Sequence, residues 1–277
     1  MPARNEGWVL GLSSRAALLW CDNLVVLNHA SRDETGHIID TLTEEYPGRV
    51  YGLHIEEDSW AEMSHRQQLL EFARAIGSTH IAPVDADEVL AGDMLPTIRQ
   101  RIEQLRPAQF CGIPMRNLHR SISQYRADNS PFGSQAGTML AFADHISLHW
   151  QSKNGYDHHQ RSPHKSTMGG YIKGSGLMHL QFSSWRRLLA KHAWYKAMER
   201  LKYPHKSTAD IERQYSLAPN ESGLRLADVP AEWWAPYADF LKHLDLDREP
   251  WHEAAVRQMV ADHGPERFAG LNLYGLA

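Results

Sequence analysis

The run Thr79–Gly92, THIAPVDADEVLAG, governs how the rest of the chain is read. Its first part, THIAPV (79–84), has the length and composition of a buried strand. It delivers Asp85, Asp87 and Glu88 within four residues. Side chains at i and i+2 of an extended segment lie on one side, so Asp85 and Asp87 can converge where the strand gives way to a loop. Crowded carboxylates raise one another's pKa unless a cation compensates them. Hard oxygen ligands suit Mg2+ or Mn2+, which keep positions open for water and substrate phosphate. Asp-x-Asp at such a place reads as a metal bridge to a diphosphate; the plainer alternative is a solvated acidic turn that caps the following helix.

Working outward, helical and strand-like patterns alternate over the first hundred residues. Leu12, Ala16, Leu19 and Trp20 recur at helical spacing within 7–20, and NLVVLN (23–28) reads as a buried strand. SRDE (31–34) has the form of a capping box opening a helix that must stop before Pro47. VYGLHI (50–55) is a second strand. Ser64 can cap a helix carrying Leu69, Ala73 and Ile76 on one face, with Gly77 at its end. A further helix starts at Asp93. Strands separated by helices of this length imply a parallel α/β sheet, whose ligands bind outside the carboxyl ends of the strands. Asn28 and Asp85 both sit at such ends. From about Phe110 to Gln181, short runs such as TMLAF, HISLHW and GLMHLQF imply antiparallel strands and long loops. After Ser183 the chain turns helical, with further helices near 208–217, 231–246 and 251–262.

Composition bounds the class. At 277 residues the chain can bury a substantial core, and 42% hydrophobic with 22% charged residues is ordinary for a globular protein. No segment has the length and hydrophobicity of a membrane helix, and MPARNEGW lacks the apolar core of a signal peptide, so a cytoplasmic protein is expected. Cys21 and Cys111 are the two cysteines and read as inert thiols. The formal charge of −4 is unevenly distributed: Gln151–Lys206 holds eleven Lys or Arg against Asp157 and Glu199, a local +9 that leaves −13 elsewhere. Six histidines and eight aromatics lie in or beside that stretch, among them Trp150, Tyr156, Tyr171, Trp185, Trp194 and Tyr195. A polyanionic partner follows as an expectation, with the outer face of a charged helix as its alternative.

Three pieces in order, Arg4-Asn5-Glu6, DNLVVLNHASRDET (22–35) and SHRQQLLEFARAIGSTHIAPVDADEVL (64–90), resemble the nucleotide-binding half of family-2-type glycosyltransferases with the GT-A fold. The resemblance covers roughly residues 3–92. It implies a mostly parallel nucleotide-binding sheet flanked by helices, a smaller antiparallel section and a helical C-terminal extension. Residues 1–182 would form the catalytic domain, with 1–109 as the nucleotide-sugar half and 110–182 as the acceptor half, followed by the extension at 183–277. The chain departs from the pattern at Asn28, where the family usually has Asp. The first strand is also cut to Met1–Ala3, so the chain pairs differently at that edge or its true start lies upstream.

GLMHLQFSSWRRLLAKHAWYK (176–196) resembles the family's late His segment, which makes His179 a third metal ligand beside Asp85 and Asp87. The nucleotide-sugar contacts implied are Arg4, Asn5, Glu6, Asn28, Arg66, Asp85 and Ala86. The implied reaction moves a sugar from a nucleoside-diphosphate donor to an acceptor hydroxyl, with inversion by analogy. Spacing does not identify the base: Asp157 is the first candidate, in a loop able to reach over the donor, and Asp144 the second. Arg161, Lys165 and Trp185 in the basic stretch are expected at the acceptor, either hydroxymethylated DNA or an anionic or lipid-linked glycan. Two alternatives stand beside this reading. A nucleotidyltransferase is disfavoured because no Gly-rich triphosphate loop with a following Lys occurs near the first strand. A non-catalytic nucleic-acid-binding module is the other.

Overall fold

A parallel three-stranded sheet, ordered β1 (Pro2–Ala3), β2 (Leu24–His29) and β3 (Val50–Ile55), forms the amino-terminal part of the computed structural model. The model describes residues 1–58, 61–151 and 161–277. α1 (Leu10–Ala17) links β1 to β2, and α2 (Thr35–Glu45) links β2 to β3. The β2–α2–β3 crossover follows from the apolar pattern: Ile39 and Leu42 of α2 are fully buried. A Cβ at Gly52 would lie 2.6 Å from Ile39 Cγ2, so glycine in β3 is what lets the helix settle this closely. α2 ends at Glu45, ahead of Pro47.

The later elements are, in chain order, α3 (Glu62–Ala75), β4 (His80–Ile81), β5 (Glu88–Leu90), α4 (Leu95–Glu103), β6 (Gln109–Asn117), β7 (Gln124–Arg126), β8 (Gly137–Ala143), β9 (Thr167–Tyr171), β10 (Leu177–His179), α5 (Trp185–Lys202), α6 (Thr208–Tyr215), β11 (Leu226–Asp228), α7 (Ala231–Trp234) and α8 (Trp251–His263). A mixed sheet takes the order β4-β8-β6-β10-β5, with β9 pairing to β6. The architecture is mixed α/β. Two compact units make it up: Met1–Arg116, Gln135–His179 and Pro230–Asp245 form the first, and Asn117–Ser134, Leu180–Val229 and Leu246–Ala277 the second.

In the first unit, Met63, Leu70, Met139, Phe142, Leu148 and Trp150 pack into one apolar cluster. The segment 230–245 returns to this unit, where the buried Tyr237 hydroxyl donates to the Leu90 carbonyl at 2.8 Å. In the second unit, β7 and β11 pair antiparallel, and α5 carries Ala193, Trp194 and Ala197 against Val256, Phe268 and Leu273.

Several local expectations are corrected. THIAPV is strand only at His80–Ile81, and it pairs antiparallel with β8 rather than joining the parallel sheet; Pro83 has no N–H to extend the ladder. HISLHW is not a strand, and among the described residues its ladder contact is the single His149–His164 bridge. β9 runs parallel to β6, not antiparallel. α3 starts two residues before Ser64, with Ala61 at its N-cap. Gly77, at φ +80°, ends α3 as expected, its N–H reaching the Arg74 carbonyl at 3.0 Å. The helix expected over 231–246 is α-helical only to Trp234 and then tightens to 3-10 geometry over Ala235–His243, where Pro236 supplies no N–H.

Candidate active site

The Asn5-Glu6 segment and the Ser-x-Asp-x-Thr turn are knitted together at the carboxyl end of β2. Ser31 Oγ accepts from the Asn5 N–H at 2.9 Å, Thr35 Oγ1 from the Glu6 N–H at 2.8 Å, and Asp33 Oδ2 from the Gly7 N–H at 3.0 Å. Asn5 Oδ1 accepts in return from the Arg32 N–H at 2.7 Å. This overturns the capping box, since α2 starts at Thr35 with no side-chain cap. The two hydroxyls and one oxygen of the Asp33 carboxylate serve the neighbouring loop, whose backbone donors have no ladder to join, while Asp33 Oδ1 accepts from the Thr35 N–H at 2.9 Å at the start of α2. Asn5 is held at φ +53°, a conformation asparagine tolerates. Asn28 accepts from the Ser31 N–H at 3.3 Å, and its Nδ2 lies 3.2 Å from His54 Nδ1. Arg4 pairs with Asp58, and Glu6 accepts from Trp8 Nε1 at 2.6 Å.

Asp85 and Asp87 of the acidic run lie in the segment between β4 and β5, and Glu88 opens β5. Asp85 Oδ1 lies 3.1 Å from Arg66 Nη2 on α3, and Asp85 Oδ2 lies 3.6 Å from Arg161 Nη1. Glu88, buried, accepts twice from Arg161 at 2.5 and 2.6 Å and once from the Asp85 N–H at 2.9 Å. Ala86 is buried between the two aspartates. Asp87 Oδ2 lies 3.4 Å from His179 Nε2. Strand register causes that meeting: β10 runs antiparallel to β5 with His179 opposite Glu88. Gly176, at φ +107°, starts the approach of β10, and a Cβ there would lie 2.2 Å from the Pro114 carbonyl oxygen.

Burial alone would raise the Asp85 pKa, but Arg66 and Arg161 outweigh it and hold the carboxylate below its ordinary range. Burial lowers and the acids raise the two guanidinium pKa values, with a net upward shift for both. Asp85 is therefore an ionised carboxylate compensated by two cations. Among the described residues, no group of three His, Cys, Asp or Glu is placed to hold a metal ion. The expected three-ligand seat of Asp85, Asp87 and His179 is thus reduced to the last two. Their carboxylate oxygen and imidazole nitrogen, 3.4 Å apart, still fit a hard divalent cation that draws its other ligands from water and phosphate.

The remaining candidates fall elsewhere. Arg161, expected at an acceptor, lies within the acidic cluster. Lys165 is exposed. Trp185 belongs to the second unit, with Arg120 4.3 Å above its ring. Asp144 is bound at 2.8 Å through each carboxylate oxygen by Arg74. Asp157 lies outside the described residues. Part of the basic stretch is answered by acids: besides Arg161, Arg186 pairs with Glu253 at 2.6 Å and Lys196 with Glu212 at 2.8 Å, both from outside the stretch, and Lys206 pairs with Glu199 inside it at 2.8 Å. Trp150 and Trp194 are buried in apolar clusters and offer no stacking platform. The reading missed Glu88, the acceptor for both Arg161 and the Asp85 amide, and Glu62, 3.1 Å from Arg66. Glu62 was findable as the i,i+4 partner of Arg66; Glu88 carried no signal beyond its place in the acidic run.

No protein-family model matches the chain, and no curated protein matches it. Among solved structures, it is similar to S. aureus TarS 1-349, with a TM-score of 0.42 and 13% identity over 93% of this chain and 81% of that one. It is also similar to a longer S. aureus TarS structure, with a TM-score of 0.44 and 12% identity over 96% of this chain and 53% of that one. The chain thus spans about half the length of the longer TarS structure.

Proposed function

We propose that the chain is a glycosyltransferase that takes a sugar from a nucleoside-diphosphate donor and passes it to an acceptor hydroxyl, with inversion. One observation carries the reading: Asp87 and His179, from distant parts of the sequence, meet at 3.4 Å beside a carboxylate already compensated by Arg66 and Arg161. Departure of a diphosphate leaves negative charge that fixed cations stabilise without reorganising. Arg66 and Arg161 are locked by Glu62, Asp85 and Glu88, so their charge is positioned in advance. Mg2+ or Mn2+, when bound at Asp87 and His179, would add Lewis-acid stabilisation of the leaving group. Asn5, Glu6 and Asn28, fixed by the turn at Ser31–Thr35, stand where the nucleoside would lie. Asp157 is the proposed base for the acceptor hydroxyl. A glycan acceptor is preferred to DNA, because several basic side chains are consumed by internal pairs and two aromatics by the core.

The test is a panel of nucleotide sugars with and without Mn2+, read by thermal shift and by product analysis. A donor that raises Tm in a metal-dependent way, then yields a glycosylated acceptor and free nucleoside diphosphate, supports the reading. Released pyrophosphate points instead to nucleotidyl transfer. Full turnover in chelator or in Asp87→Ala overturns the metal-assisted mechanism.

A further inference from the structure

His149 and His164 face each other across an isolated antiparallel bridge in the first unit, where the His164 N–H donates to the His149 carbonyl at 2.8 Å. Directly opposed residues of an antiparallel pair project to the same side. The two imidazoles accordingly stack, with centroids 5.4 Å apart and planes 29° apart. Neither ring belongs to the acidic cluster, which takes its histidine from β10.

Each ring is held through one nitrogen. His149 Nδ1 donates to the Ser147 carbonyl at 3.1 Å, and His164 Nε2 to the Gln151 carbonyl at 3.3 Å. A carbonyl oxygen can only accept, so those nitrogens carry the protons. The lone pairs then fall on His149 Nε2 and His164 Nδ1. Neither of these atoms has a hydrogen-bond partner among the described residues, and neither is sealed from solvent, both residues being half-buried. An imidazole whose one N–H is fixed by a backbone carbonyl while its other nitrogen stays open is the arrangement of metal-ligating histidines. The spacing suits that role: two imidazoles on one tetrahedral ion, with metal–nitrogen bonds of about 2.0–2.1 Å, place their centroids roughly 5 Å apart.

We propose that His149 and His164 form a second metal site, for a divalent cation that prefers imidazole, Zn2+ or Cu2+, with water completing the coordination. Its chemistry differs from that of the Asp87–His179 pair, since no carboxylate takes part. A bound ion joins two segments with contacts of their own. Trp150, next to His149, donates its backbone N–H to Gln67 on α3 at 2.8 Å, and Arg161, shortly before His164, holds Glu88. Occupancy therefore braces the chain on the approach to Arg161.

Zn2+ is the probe, titrated into the full chain and followed by nitrogen-15 NMR of the histidine rings. His149 Nε2 and His164 Nδ1 should shift together and saturate at micromolar Zn2+, while His149 Nδ1 and His164 Nε2 keep their protons; Mg2+ should leave both rings unchanged. His149→Gln and His164→Gln should each weaken Zn2+ at this site by at least about tenfold, no less than loss of an outer-shell partner costs. Cu2+ should bind more tightly than Zn2+. The paired shift should persist in His179→Ala, which separates the site from Asp87. Response of one ring alone, saturation only at millimolar Zn2+, or undiminished affinity in either folded glutamine variant overturns the proposal. The titration of the unaltered protein decides the matter even where a variant fails to fold. No donor sugar enters it, so its failure is distinct from failure of the glycosyl-transfer reading.

Discussion

Glu88 and Arg161 are joined by two hydrogen bonds of 2.5 and 2.6 Å across a sequence separation of 73 residues. The carboxylate also accepts from the Asp85 N–H, so it holds both the residue beside the proposed diphosphate site and the arginine that compensates it. Glu88→Ala should destabilise the fold by about 3–5 kcal/mol, the cost of stranding one partner of a buried pair. Chemical denaturation measures it; a loss below 1 kcal/mol would mean that Arg161 finds another partner.

His179 faces Asp87 through the β5–β10 register. His179→Ala should weaken Mn2+-dependent donor binding roughly 10- to 100-fold while leaving Tm nearly unchanged. Calorimetric titration of donor with and without Mn2+ checks this; equal loss in both conditions would assign His179 to packing.

Arg66 keeps Asp85 ionised. In Arg66→Gln the burial that raises the Asp85 pKa loses its main opponent, so the carboxylate should titrate at higher pH. As the native pKa is depressed, the stability it contributes is present above the unfolded value and is lost as pH falls through the folded one. Removing Arg66 therefore takes away stability that is fully present at neutral pH. Carbon-13 NMR of the Asp85 carboxyl in the two proteins reads the shift directly.

His192, in the second unit, is buried and its Nδ1 lies 3.0 Å from the Tyr215 carbonyl. Burial, outweighing that hydrogen bond, lowers its pKa to about 4 from the ordinary 6.5. The unfolded chain binds the proton more readily between those values, so stability should be full above pH 6.5 and decline toward pH 4, by about 3 kcal/mol at most. Denaturation at pH 7.5 and pH 5 in the unaltered protein and in His192→Gln isolates the contribution; an unchanged slope in the variant would refute it.

Ser31→Ala should cost about 1–2 kcal/mol, because it leaves the Asn5 N–H without its acceptor. Ser64→Ala, expected from sequence to remove a helix cap, should be nearly silent because α3 begins upstream of it. Paired denaturation curves for the two variants compare these readings.

The sequence by itself determined what depends on neighbours along the chain. Helical period and breaker residues located α1, α2 and the end of α3 at Gly77, and the Asp-x-Asp run marked the turn after β4. Asn5, Ser31, Asp33 and Thr35 were recognisable as pieces of one site, but not as one another's hydrogen-bond partners. Tertiary structure decided those partners, because a side-chain acceptor serves whichever unsatisfied donor lies nearest in space. It also drew Arg161 into the acidic cluster, fixed His179 opposite Glu88 through antiparallel register, and paired the buried Lys196 of the basic stretch with Glu212. Each of these outcomes depends on a long-range approach that desolvates a charge and so requires a partner, and local pattern carries no record of who that partner is.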